Sequence, residues 1–265
     1  MNFLRHYLLA VQFFTRIPVT GPLAGWVGFS PAMLRASAAH FPGVGWLVAA
    51  VAGAVYAATA LLLPASAFTP LAAAVACTIA TALLTGGFHE DGLADVADGL
   101  GGNADRQRAL EIMKDSRVGA FGAMALALAL LAKVSLLAVL GSQGLAVAVA
   151  ALVAAHVASR FCPLVLVRAL AHVGDDHGSK SKPLADQITT TALAIAGLWC
   201  VLPLAAAALA LGAVPVAAAV LAGGVALLWM GRLFARRLQG FTGDCLGATQ
   251  QVCEIAFYFG LAAAL

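Results

Sequence analysis

Between residues 86 and 102 the chain reads GGFHEDGLADVADGLGG, which sets Glu90, Asp91, Asp95 and Asp98 among six glycines. Read as a helix continuing the apolar run before it, Asp91, Asp95 and Asp98 are spaced i, i+4, i+7 and fall within roughly a 60° arc. Glu111 and Asp115 follow at i, i+4 where the next apolar run begins, so a second acidic face can meet the first. Like charges at that density repel unless a cation lies between them. Oxygen donors without neighbouring cysteines suit a hard ion, Mg²⁺ or Mn²⁺. A solvated acidic loop explains a single Asp pair. Three aligned aspartates, six glycines and a second acidic pair point instead to a metal-binding surface. The glycines are poor for helix stability and allow close approach by a neighbouring backbone or a phosphate.

Basic residues are woven into the same region. Arg106, Arg108, Lys114 and Arg117 alternate with acids, an arrangement able to hold both a cation and the phosphates it bridges. Arg117 is the strongest phosphate-binding candidate, at the edge of an apolar run. The segment 174–187, GDDHGSKSKPLADQ, adds Lys180 and Lys182 on a Gly- and Ser-containing loop. Asp244, at the start of the last apolar run, is suited to capping a helix or supplying one more oxygen.

The elements that position these residues belong to a membrane protein. Of 265 residues 62% are hydrophobic and only 10% charged, and the mean hydropathy is +0.96. Apolar runs of about 20 residues, the length that crosses a bilayer, are placed near 43–63, 70–88, 119–141, 144–168, 188–211, 213–231 and 245–265. The predicted fold is all-α: a polytopic bundle of about seven spans, one integral membrane domain over 1–265, preceded by an amphipathic interfacial helix. The charged segments alternate with uncharged turns, and the Lys/Arg bias places them on the cytoplasmic side, with the N-terminus inside and the C-terminus outside.

Net charge is only +3, and the basic residues form no single patch, which argues against a nucleic-acid partner. Five cysteines without zinc-like spacing read as inert buried thiols. Lys133, Arg160 and Glu254 lie inside apolar runs and must find partners or face a wet cavity. Glu254 with Lys133 or Arg160 is the expected pair, either locking the bundle or reaching substrate. His156, one turn from Arg160, reads as a satisfied interior histidine.

Six blocks in order, FFTRIPV (13–19), HFPGVG (40–45), GGFHEDGLADVADGLGG (86–102), LEIMKDSRVGAFG (110–122), SRFCP (159–163) and GFTGDCLGA (240–248), together resemble the cobalamin synthase family, the adenosylcobinamide-GDP ribazoletransferases. The resemblance implies an integral inner-membrane enzyme with its site facing the cytoplasm. It would join adenosylcobinamide-GDP to α-ribazole or its 5′-phosphate, release GMP, and require Mg²⁺. The family's acidic motif falls on Asp91, Asp95 and Asp98, and its second block on Lys114, Asp115, Ser116 and Arg117. On this reading Asp91, Asp95, Asp98 and Asp115 are the catalytic and metal-holding residues, with Asp95 the candidate to accept the hydroxyl proton. Lys114, Ser116, Arg117, Arg160, Lys180, Lys182 and Asp244 contact substrate. Membrane lipid surrounds the chain, and the resemblance leaves room for a homo-oligomer and for other cobalamin-pathway enzymes as partners.

Two other classes share some of these features. The CDP-alcohol phosphotransferases carry a related acidic pattern, matched here by Asp95, Asp98 and Gly99 but not by Gly102 and Asn103. A cation transporter would use Asp91, Asp95, Glu254 and Lys133 as an ion path, but the acids gather at one membrane face and the sequence has no internal repeat.

Overall fold

The computed structural model describes residues 2–102, 105–174 and 188–265. The described residues form twelve α-helices and no strand beyond one isolated bridge between His172 and Phe241. Three short helices come first: α1 (Asn2–Phe14), α2 (Gly21–Val27) and α3 (Pro31–Ser37). The long helices are α4 (Phe41–Leu62), α5 (Thr69–Thr85), α8 (Ala120–Ser142), α9 (Leu145–Ala169), α10 (Thr190–Leu211), α11 (Ala213–Arg237) and α12 (Gly243–Ala264). Between α5 and α8 lie α6 (Phe88–Leu100) and α7 (Arg106–Met113).

The seven long helices coincide with the seven apolar runs of the sequence, but fewer qualify as membrane spans. Five are long and apolar enough to cross, and the bent pair α5–α6 makes a sixth at most among the described residues. The last helix, α12, falls outside that set and carries Asp244, Gln250, Gln251 and Glu254 along its N-terminal part. It is the central helix of the bundle, packed against α11, α6, α9 and α8. Polar side chains on a helix enclosed by other helices can be satisfied by protein rather than by lipid.

Two apolar clusters fill the bundle. One gathers Phe14, Phe41, Val44, Leu164, Phe234 and Cys245 near the end that carries α6 and α7. The other gathers Tyr56, Leu137, Leu152, Phe257 and Leu261 toward the opposite end. Between them α9 and α12 present a buried polar layer, His156, Ser159 and Arg160 facing Gln250 and Glu254. Small residues let the helices close on one another: a Cβ on Gly45 would stand 2.6 Å from the carbonyl oxygen of His156. The N-terminal helix α1 buries Leu9, Ala10, Val11 and Phe14 and leaves Phe3 and Leu4 exposed, the amphipathic character expected of it.

Candidate active site

The acidic stretch does not continue the second apolar helix. Gly86 and Gly87 both take left-handed backbone angles, φ 78° and 72°, which side-chain-bearing residues adopt only under strain. The chain turns there by 90° between α5 and α6. The face predicted for Asp91, Asp95 and Asp98 survives, but on a separate helix lying across the direction of α5. Gly92 and Gly247 fix its position: a Cβ on Gly92 would come 2.7 Å from the Asp244 carbonyl oxygen, and one on Gly247 3.2 Å from the Phe88 carbonyl. Here α6 and α12 touch backbone to backbone, which sets the α6 aspartates beside Asp244.

Asp95 is the centre of that crowd. Partial burial, then the charges of Asp244, Asp91 and Asp98, push its carboxyl from an ordinary 3.8 up to about 7. Asp244 lies in the first turn of α12, where a negative charge is favoured by the helix dipole, and its carboxylate accepts a hydrogen bond from Thr242 Oγ1 at 3.2 Å. Burial raises its proton affinity as well. Thr242, not Asp244, occupies the cap position itself.

Asp98 has a second attachment. Its two carboxylate oxygens accept from the backbone N–H groups of Gly119 at 2.7 Å and Gly122 at 2.8 Å, so it caps α8 from a different helix. Gly119 has no side chain to do so. A cavity of about 440 Å³ opens beside it, walled by Asp98, Arg108, Glu111, Asp115 and Arg117. The expected i, i+4 acidic face is split here: Glu111 is on α7, where Arg108 Nη1 meets it at 3.1 Å, while Asp115 lies in the turn after α7. Arg117 donates from Nε and Nη2 to both oxygens of Asp115, which brings that carboxyl down to about 2. Lys114 and Ser116 are exposed on the same turn but line neither this cavity nor the one below.

On the other flank of α6 is a cavity of about 520 Å³. Asp91 and Asp244 form part of its wall, together with Arg16 and His89, and the remainder is largely aromatic and aliphatic. The residues that sequence reasoning missed are here. Arg16 follows α1 and reads in the sequence as a topological anchor, yet its guanidinium lies over Gly86, leaving no room for a Cβ there. His89 is 2% exposed, and its Nε2 is buried without a hydrogen-bond partner. The signal that pointed to both was the FFTRIPV and GGFHED blocks taken whole.

The charges inside the helices sort differently. Lys133 Nζ lies 2.8 Å from Glu254 Oε1, confirming the expected pairing. Gln250 donates to Glu254 Oε2 at 2.7 Å, and Tyr258 to Oε1 at 3.1 Å. Glu254 is thereby satisfied by neighbouring helices. Arg160 is buried, donating from Nη1 to the His156 carbonyl at 2.8 Å with its guanidinium near the Phe41 ring, and it lines neither cavity. The polar layer reaches α6 through Gln251, which donates to Glu90 Oε1 at 3.0 Å and to Gln250 Oε1 at 3.1 Å. Lys180 and Lys182 lie outside the described residues.

The donor chemistry around Asp95 fits a hard divalent cation. Burial and the neighbouring carboxylates of Asp244, Asp91 and Asp98 act together against the charge of Asp95, the condition such an ion relieves. Among the described residues no three acid, His or Cys side chains converge tightly enough to enclose an ion by themselves. Oxygens from substrate phosphates or water would complete the shell, as is usual for Mg²⁺.

With this geometry in view, comparison with known proteins is specific. The pattern of the family described as cobalamin-5-phosphate synthase matches residues 6–262. Proteins called adenosylcobinamide-GDP ribazoletransferase are similar over the whole chain: that of Polaromonas naphthalenivorans (strain CJ2) is 64% identical, with 100% of both chains covered. That of Leptothrix cholodnii (strain ATCC 51168 / LMG 8142 / SP-6) is 46% identical over 97% of this chain and 94% of its own. A more distant one from Shewanella woodyi (strain ATCC 51908 / MS32) is 40% identical over 96% and 94%. No solved structure matches. The chain belongs to the cobalamin-5-phosphate synthase family.

Proposed function

We propose that the protein transfers the phosphocobinamide part of adenosylcobinamide-GDP to α-ribazole or its 5′-phosphate, releasing GMP and closing the nucleotide loop of the cobalamin. The naming of its full-length relatives supports this reaction. The observation that carries the chemistry is the crowding of Asp91, Asp98 and Asp244 around Asp95. Phosphoryl transfer needs little covalent help from protein. It needs charge neutralisation and positioning.

A ribose hydroxyl of the acceptor attacks the cobinamide-side phosphorus. The new P–O bond forms as the bond to the GMP phosphate breaks, and the electron pair leaves with GMP. Asp95, with Asp98 and Asp244, would hold Mg²⁺, which supplies neutralising charge to the pyrophosphate oxygens. Asp91 is the exposed acid of the group and also reaches the aromatic cavity, so it takes the hydroxyl proton on a carboxylate oxygen; Asp95, crowded by three acids, is better placed to bind the cation. Arg117 and Arg108 present guanidinium groups to phosphates from the charged cavity, and Asp115 orients Arg117.

The site faces the cytoplasmic side of a bacterial inner membrane, on the evidence of Lys/Arg bias alone. GMP release from adenosylcobinamide-GDP by the protein in purified membranes tests the reading. Release that needs both α-ribazole and Mg²⁺ is the expected result; none under any divalent cation would end it.

A further inference from the structure

The two cavities flanking α6 differ in kind, and that difference assigns the substrates. The charged one is walled by Arg108, Arg117, Glu111 and Asp115, and has a single ring, Phe121, among its described lining residues. The other holds a connected set of aromatic rings. Phe14 stacks on Phe41 with centroids 4.1 Å apart, Phe41 stacks on His89 at 5.8 Å, and His89 touches Phe88 at 3.8 Å. Its volume, about 520 Å³, lies within the roughly 300–1,000 Å³ of small-molecule sites.

We infer that this aromatic cavity binds the base of the acceptor nucleoside, a flat bicyclic azole, and so turns its ribose toward Asp91 and Asp244. The inference rests on the reaction proposed above for its choice of acceptor. An azole nucleoside has two parts with different needs, and the cavity meets each. The planar hydrocarbon rings need apolar and aromatic walls, which Phe14, Phe41 and Phe88 supply. The ribose hydroxyls need acceptors, and Asp91 and Asp244 stand in the same wall.

A lipid acyl chain would fill the apolar part but offer no donor to Asp91 and Asp244 in the same wall. Arg16, held over Gly86 at the cavity wall, adds a positive charge suited to the 5′-phosphate of the phosphorylated acceptor. The same residue therefore bears on which of the two acceptors is preferred.

The test is equilibrium binding of α-ribazole to the full-length protein in nanodiscs, without Mg²⁺ and without donor. Leu246, on the cavity wall and only partly buried, is the position to enlarge. Leu246→Trp should weaken α-ribazole at least tenfold and leave GDP binding unchanged, the latter also reporting an intact fold. His89→Leu, which removes a ring from the stacked wall, should weaken it about fivefold, with most of the affinity kept in His89→Phe. Arg16→Gln should weaken the 5′-phosphate more than the free nucleoside. Equal α-ribazole affinity in wild type, Leu246→Trp and His89→Leu would overturn the assignment. So would a wild-type protein that binds no α-ribazole because a co-purified phospholipid fills the cavity. A protein that binds α-ribazole here but never releases GMP would refute the proposed reaction and leave the cavity assignment standing.

Discussion

Two buried or half-buried groups of carboxylates in this protein have opposite surroundings. Glu254, deep in the bundle, is met by Lys133, Gln250 and Tyr258, so its charge and its lone pairs are answered by neighbouring helices. Asp95, on the short helix at the end of the bundle, is met by Asp91, Asp98 and Asp244, and its environment favours the protonated acid. The first arrangement holds helices together. The second works against the folded state and persists because other contacts fix α6 in place, the backbone-to-backbone crossing with α12 above all. A cluster that destabilises the protein by itself has its explanation in something it binds. The contrast divides the acids of the sequence into those that build the fold and those that act on substrate.

The sharpest way to break that division is to neutralise one acid from each group. Asp95→Asn should lower GMP release by about 10³-fold, the scale for removing a major electrostatic contact of a transition state, while leaving the thermal midpoint unchanged or higher. Lys133→Met should do the reverse. It strands Glu254 with its charge buried, which costs about 3–5 kcal/mol, and denaturant unfolding should show that loss while any protein that still folds keeps its affinity for Mg²⁺. If Lys133→Met abolished turnover without lowering stability, the buried group would belong to the active site and the division would fail.

Acidity separates the groups again. Because the folded protein raises the Asp95 carboxyl to about 7, its contribution favours folding at low pH and is lost as pH rises through about 7. Thermal midpoints of metal-free protein measured across that range should fall more steeply with pH for wild type than for Asp95→Asn. Mg²⁺ must displace the proton, so its affinity should weaken as pH drops below about 7. Asp115, held down near 2 by Arg117, contributes nothing to that dependence.

The smallest expected effect concerns Asp98, which belongs partly to both groups. It faces Asp95 and also caps α8 through Gly119 and Gly122. Asp98→Asn keeps one acceptor oxygen and should cost about 1 kcal/mol of stability, the usual scale of a lost cap, alongside its loss of activity. Denaturant unfolding of that variant beside Asp95→Asn separates the two roles.

Much of this was legible before any coordinates. The seven apolar runs became seven long helices because periodic hydrophobicity and length are local properties: 119–141 is seen as Ala120–Ser142, and 144–168 as Leu145–Ala169. The Glu254–Lys133 pair was legible because a charge inside an apolar helix must find a counter-charge. The alignment of Asp91, Asp95 and Asp98 was legible from spacing alone. The turn before them was not, since glycines at 86 and 87 are as compatible with a flexible helix as with a 90° bend. Asp244 as the acid that acts most strongly on Asp95, and Arg16 beside Gly86, depend on contacts between segments far apart in the chain. No local pattern encodes them. Asp115 shows the converse: α7 ends before it, so it shares no helical face with Glu111, and Arg117, two residues on, captures it.

The claim on which the rest depends is that the α6 and α12 carboxylates repel one another until a divalent cation joins them. Thermal midpoints of wild type and Asp95→Asn, each with and without Mg²⁺ at a pH just above 7, measure this directly. The account predicts that Mg²⁺ raises the wild-type midpoint by several degrees and moves that of Asp95→Asn little. Equal shifts in both proteins, or none in either, would contradict it.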